Sequence, residues 1–296
     1  MEPIHTGTDL VLRQHAKSFY FASRFLPKAS RAPVANLYAF CRYVDDVSDF
    51  GEPTEAGTRL RALRLEVENG QVPEVLEFET LGIRRQWILD LIDGAISDTE
   101  FKPFESEAEL ELYCYRVAGV VGLMMCPLLG VHDERAWQNA IDLGSAMQLT
   151  NMARDVAEDA ERGRVYFPLD WLRREQMGVQ EVMIGQYVRP LVQRMLFKAE
   201  GLYQSGAEGL RAIPGSRRAA IGVALALYRG IGGALERQQY DPFKGRAYVS
   251  WPRKILLAFY GVWLAYKPQQ SSVVRHGARM TPDKYSSRTQ IENTTI

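Results

Sequence analysis

Asp45 and Asp49 stand four residues apart, and so do Asp155 and Asp159. On a helix this spacing puts both carboxylates of a pair on one face, one turn apart. Like charges so placed weaken a helix by roughly a few tenths of a kcal/mol unless a cation sits between them. Asn151 extends the second face by one more turn, four residues before Asp155. Mg2+ takes oxygen ligands in octahedral geometry and binds through one or two carboxylates together with substrate phosphate oxygens. If the two helices face each other, their carboxylates converge on a diphosphate from opposite sides, and the bound cations make it a leaving group. The competing reading of either pair alone is a solvated helix face. The apolar flanks Tyr38-Ala39-Phe40 and Ala146-Met147 weigh against it. Asp46 is rotated about 100° from Asp45 around the helix, which makes it the outlying member of the first cluster.

Cations and aromatics accompany the carboxylates. Arg42 precedes Asp45 by three residues and Arg154 adjoins Asp155, with Lys17, Arg246 and Arg253 as further cations. Arginine grips phosphate oxygens through two parallel hydrogen bonds. For Arg154, a plain surface pair with Glu158 competes with this role. His15 reads as a core histidine or, with Lys17 nearby, as a phosphate contact. Ionising an allylic diphosphate leaves a carbocation that aromatic faces must hold and shield from water. Phe19, Tyr38, Phe40, Tyr113, Tyr166 and Tyr228 are candidates to line such a cavity, against the usual packing role of helical aromatics.

These residues need helices to place them, and the pattern supplies little else. Periodicity predicts a helix from about Thr8 to Phe25 and another from Ala32-Pro33 to the first cluster, closed by Gly51-Glu52-Pro53. Further helices are expected over 54–69 and 84–97. Ser106 with Glu109 is a capping-box signature that opens a long apolar helix to Met125. A single helix over 134–161 carries the second cluster, and helical patterns resume at 180–212, 215–236 and 251–266. No alternating strand pattern and no internal repeat is present. The expectation is one all-α domain over 1–267, a helical bundle of about ten helices, with a polar, mobile tail over 268–296.

Of 296 residues, 46% are hydrophobic, and 36 basic residues balance 36 acidic ones. Such a balance gives no support for a nucleic-acid binder. Cys41, Cys114 and Cys126 lack metal spacing and read as reduced core thiols of a cytoplasmic chain. No signal peptide is visible. The longest apolar run, Val117 to Val131, has fifteen residues, short of the roughly 20 a spanning helix needs. Ile255 to Tyr266, bracketed by Lys254 and Lys267, reads as a core helix or as an interfacial helix touching a membrane.

With these motifs in view, the sequence resembles the squalene/phytoene synthase family of head-to-head prenyl synthases from His15 to about Lys254. Three stretches carry the resemblance: Tyr38 to Asp49; Tyr113 to Gly122; and Gln148 to Asp159 with Gly163-Arg164-Val165-Tyr166-Phe167-Pro168. It implies an isoprenoid-synthase fold with a central cavity. Mg2+, or Mn2+ in its place, would be bound by Asp45, Asp49, Asn151, Asp155 and Asp159. Diphosphate contacts fall to His15, Lys17, Ser18, Arg42, Arg154, Tyr228 and Arg246, and substrate contacts to Gln148, Tyr38 and Tyr166. Tyr113 would steer the carbocation or accept a proton. None of these positions departs from the family pattern, which speaks against its degenerate assembly factors.

The implied reaction joins two prenyl diphosphates through a cyclopropylcarbinyl diphosphate. The stretch from Tyr240 to Ser250 is most similar to the bacterial phytoene-forming members, so two geranylgeranyl diphosphates giving phytoene in carotenoid biosynthesis is the preferred outcome. Two farnesyl diphosphates giving presqualene diphosphate, dehydrosqualene or squalene is the alternative, with NADPH required only for squalene. A class I terpene cyclase and a non-catalytic helical assembly protein are further readings. Small residues at Ser23 and Ala35 are expected to floor a cavity long enough for twenty-carbon chains. A lipid product suggests a cytoplasmic protein in peripheral contact with the inner face of the membrane.

Overall fold

The computed structural model describes residues 17–50, 52–185 and 187–267; the side chains of 17–19 and of Phe50 fall outside that description. Helix α1 spans Lys17–Ser23, α2 Lys28–Phe50, α3 Pro53–Glu68, α4 Pro73–Thr80 and α5 Arg85–Thr99. Next come α6 (Glu107–Cys114) and α7 (Val120–Leu129), joined without a break by a π-helical turn over Tyr115–Gly119. The long α8 covers Trp137–Glu161, followed by α9 (Leu169–Arg174), α10 (Val179–Met183), α11 (Arg189–Gly209), α12 (Arg217–Arg237) and α13 (Trp251–Tyr266). No strand occurs among the described residues, as the all-α reading requires. The expected helix from Thr8 and the expected mobile tail over 268–296 lie outside the described residues.

Local chemistry explains most boundaries, including those the periodicity misplaces. Helix α2 begins at Lys28, not near Ala32, and Pro33 lies inside it. So close to the helix start, the N–H that proline lacks removes only one early hydrogen bond. Ser106 caps α6 by accepting from the Glu109 N–H at 3.4 Å, while the Glu109 carboxylate accepts from Glu105 N–H at 2.8 Å. The pattern over 180–212 is broken between α10 and α11, where Gly185 and Tyr187 both have positive φ. The short helices α4 and α9 carry too few turns to announce themselves by period.

Two apolar clusters form the core. One gathers α2, α3, α4, α5 and α7, with Phe40 edge-on to Phe78 at 5.7 Å. The other surrounds α8 with α6, α9, α11 and α12, and Trp171 is fully buried in it. Each such large side chain contributes about 1.5–3 kcal/mol on burial. The seam between the π turn, α7 and α8 is made of glycine. A methyl added at Gly122 would strike the Ala140 carbonyl, and one at Gly144 the Ala118 carbonyl. Backbone therefore meets backbone there.

Two helical rods, Glu107–Leu129 and Arg217–Arg237, are long and apolar enough to cross a membrane, contrary to the count of uninterrupted apolar residues. More than half of each is buried inside the protein. Their hydrophobicity is that of core helices.

Candidate active site

Helices α2 and α8 bring both aspartate pairs to the wall of one polar cavity of about 240 Å3. Asp45 and Asp49 come from α2; Gln148, Asn151, Arg154, Asp155 and Asp159 come from α8. Tyr113 enters from α6 and Tyr166 from the loop after α8. That loop is shaped by Gly163, whose φ of 73° ends α8. Gly163 N–H donates to Ala160 O and Arg164 N–H to Asp159 O, each at 2.9 Å, a Schellman closure that returns the chain across the cavity.

A second, apolar cavity of about 260 Å3 adjoins the first. The two share Asp45, Leu91, Val117, Gln148 and Asn151 as walls. Tyr38 and Tyr228 line the apolar one, beside Met147 and Ala224, and its walls reach Leu129, Leu210 and Ile213. Ser23 and Ala35 are absent from these walls, which corrects the expected cavity floor; the Ser23 hydroxyl donates to Tyr20 O at 2.8 Å. Phe40 is likewise core, not lining.

Cations grip the carboxylates. Arg42 pairs with Asp46 at 2.5 Å. Arg154 donates to Asp155 at 2.7 Å, and not to Glu158 as the competing surface-pair reading would have it. Arg246 reaches Asp155 at 3.3 Å and Glu158 at 3.0 Å. Asp49 is met across the cavity by Arg164 at 3.4 Å and Arg162 at 3.7 Å. The exposed Arg253 is not in either cavity wall. His15 lies outside the described residues, as do the side chains of Lys17, Ser18 and Phe19.

One carboxylate escaped the sequence reading. Asp98, on α5, accepts hydrogen bonds from Tyr113 at 2.9 Å and Tyr166 at 3.1 Å. The two rings stack at 5.3 Å. Arg164 donates to the Asp98 carbonyl at 3.3 Å. Asp98 has no carboxylate three or four residues away, so spacing could not single it out. Arg162 and Arg164 lie in or beside the quoted motif yet received no role from it.

Burial lifts the Asp45 carboxyl to about 7, against the pull of Arg42 and with the help of Asp49, Asp98 and Asp46. Asp45 is exposed to solvent, and it lines both cavities. Asp159 rises to about 7, by burial first and then by Asp155. Asp98 rises to about 6, again chiefly by burial, with Arg164 and the two tyrosine hydroxyls opposing. Burial also pushes the Tyr113 phenol well above its ordinary value.

Among the described residues, no three His, Cys, Asp or Glu side chains are gathered closely enough to hold an ion in this arrangement. The donor chemistry still fits a hard divalent cation. Every candidate donor is oxygen and both walls contribute. Asp45 and Asp159 enter no ion pair among the described residues, and neighbouring carboxylates raise both. A cation would relieve that repulsion.

Residues 12–253 match the squalene/phytoene synthase family. The chain is 36% identical to a 15-cis-phytoene synthase of Synechocystis sp. over 83% of its length and 80% of that protein. It is 38% identical to a phytoene synthase of Thermus thermophilus, covering 92% of this chain and 98% of that one. Among solved structures, a dehydrosqualene synthase in complex with ligand superposes with a TM-score of 0.76 at 31% identity, over 86% of this chain and 93% of that one.

Proposed function

The chain belongs to the squalene/phytoene synthase family, and from that membership we propose that it joins two geranylgeranyl diphosphates head to head, through a cyclopropylcarbinyl diphosphate, to phytoene for carotenoid biosynthesis. The observation that carries this reading is the shared wall between the aspartate-lined cavity and the apolar cavity. A diphosphate sits among charges while its hydrocarbon chain is kept from water. The names of the relatives favour the forty-carbon product. Farnesyl diphosphate as substrate is the second reading, supported by the likeness to a dehydrosqualene synthase.

The roles are those that the family resemblance implies. Arg42, Arg154 and Arg246, together with His15, Lys17 and Ser18, bind diphosphate oxygens. Asp45, Asp49, Asn151, Asp155 and Asp159 would hold a divalent cation, which we take to be Mg2+ with Mn2+ as a substitute; when bound it neutralises the leaving diphosphate. Tyr38 and Gln148 orient the chains, and Tyr228, which the resemblance assigns to the diphosphate, lines the apolar cavity. Tyr113, its hydroxyl fixed on Asp98, faces the carbocation and takes part in the final proton loss, with Tyr166 packed against it. Phytoene formation needs no NADPH. We place the enzyme in the cytoplasm, in peripheral contact with a membrane that receives the product.

The test is one set of incubations with geranylgeranyl or farnesyl diphosphate, Mg2+, and with or without NADPH, read by product mass. Phytoene from geranylgeranyl diphosphate, lost in Asp45→Ala and in Asp155→Ala, is expected. A thirty-carbon product alone moves the enzyme to the second reading, and activity that survives both substitutions overturns the metal assignment.

A further inference from the structure

Helix α13 is built the wrong way out for a core helix. Its small residues Ala258, Gly261 and Ala265 are buried, and its large ones face outward. Leu256 is 69% exposed, Phe259 72%, Trp263 52% and Trp251 63%. The inward face is small because α13 lies backbone to backbone on α12: a methyl at Gly222 would strike the Gly261 carbonyl. Close packing there leaves no room for bulk, but it does not require bulk on the other side. Between Trp251 and Tyr266 the only charged residues are Arg253 and Lys254, both in the first turn. Trp251 continues the face onto α1 through an edge contact with Phe21 at 5.8 Å, and Phe21 in turn meets Phe25 at 5.9 Å.

The helix and its flanks carry charge of one sign in the sequence: from Pro242 to Lys267 there is no Asp or Glu, while Lys244, Arg253, Lys254 and Lys267 are basic, besides the Arg246 that pairs with Asp155 and Glu158. A contiguous apolar face, tryptophan and tyrosine at its edges, and flanking basic residues are the composition of a helix lying in a lipid interface. Behind α13, helix α12 presents Ile221, Ala224 and Tyr228 to the apolar cavity. Only α12 therefore stands between α13 and the apolar cavity.

We propose that the outer face of α13, with Phe21 of α1 and Phe25 just beyond that helix, docks onto the surface of an anionic lipid bilayer. This deepens the peripheral contact in the proposed function by naming the surface and the lipid charge. The orientation sets the apolar cavity over the bilayer, where a long hydrocarbon product has its sink.

The experiment uses the full chain and vesicles without substrate, so that its outcome is separate from that of the product assay. Flotation with vesicles of phosphatidylcholine alone, or mixed with phosphatidylglycerol, is expected to show about tenfold tighter binding to the anionic mixture. Quenching by brominated lipid should reach Trp251 and Trp263 and vanish in a W251F/W263F variant. Leu256→Glu with Phe259→Glu should weaken binding by about 100-fold or more, while detergent-dispersed substrate is turned over at the wild-type rate. Wild-type protein that fails to float, or a double variant that floats as well as wild type, overturns the proposal. So does a concentration-dependent dimer in light scattering that the double variant dissolves, because the face would then belong to a second copy.

Discussion

Asp98 joins the two tyrosines of the polar cavity. Its carboxylate accepts from both hydroxyls, one fifteen and the other 68 residues away in the chain. Asp98→Asn keeps the shape but turns one acceptor into a donor, which leaves a buried hydroxyl mismatched at a cost of about 1–3 kcal/mol. The expected result is a fall in kcat of roughly tenfold or more with an unchanged circular dichroism spectrum, measured by product formation from geranylgeranyl diphosphate. The raised carboxyls make a second prediction. Asp45 and Asp159 bind protons more tightly folded, at about 7, than unfolded, near 3.8. Their contribution to stability is thus full below the unfolded value and is lost as pH rises through about 7. In chelator, the melting temperature of the wild type should fall relative to that of Asp159→Asn between those limits. Divalent cation should raise the wild-type value more at pH 8 than at pH 6. The paired aspartates were legible because one-turn spacing is a property of the local helix. Asp98 was not, since its partners reach it only through folding.

The helices that hold these groups are set by a few glycines as much as by apolar stripes. Gly144 lets α8 meet the π turn, so that Tyr113 and Val117 on one side face Gln148 and Asn151 on the other. Gly144→Ala forces the backbones apart and should destabilise the protein by about 1–3 kcal/mol, read as a lower denaturation midpoint. π turns gather at functional sites because they re-aim side chains within a helix, and this one begins two residues after Tyr113. Its neighbourhood read as plain apolar helix: an i→i+5 turn has no distinct hydrophobic period. A glycine just beyond a helix end, as Gly163 is, signals such a closure in the sequence. What escaped was its result, the placement of Arg164 across from Asp49.

Substrate length is decided by the assembled bundle. The apolar cavity is bounded by residues of α2, α5, α7, α8, α11 and α12 and reaches Ala136 and Ile213. Its depth therefore cannot be read from any single helix, and the expected floor at Ser23 and Ala35 fell outside its walls. Ala136 is a small residue in that wall. Ala136→Phe should shift preference from geranylgeranyl towards farnesyl diphosphate, measured by competing the two substrates and weighing the products; an unchanged ratio means that the chains end elsewhere.

All-helical character, the two aspartate motifs and the family followed from the order of residues alone, because helical period and i,i+4 spacing are local. The same locality explains why Asn151, Asp155 and Asp159 could be assigned to one face before any fold was known. Three things waited for the tertiary structure: the approach of Asp98 to the tyrosines, the reach of the apolar cavity, and the outward turn of the large residues on α13. Each depends on which helix faces lie against one another. That is settled by close packing between residues tens to hundreds of positions apart, and no spacing within one segment encodes it.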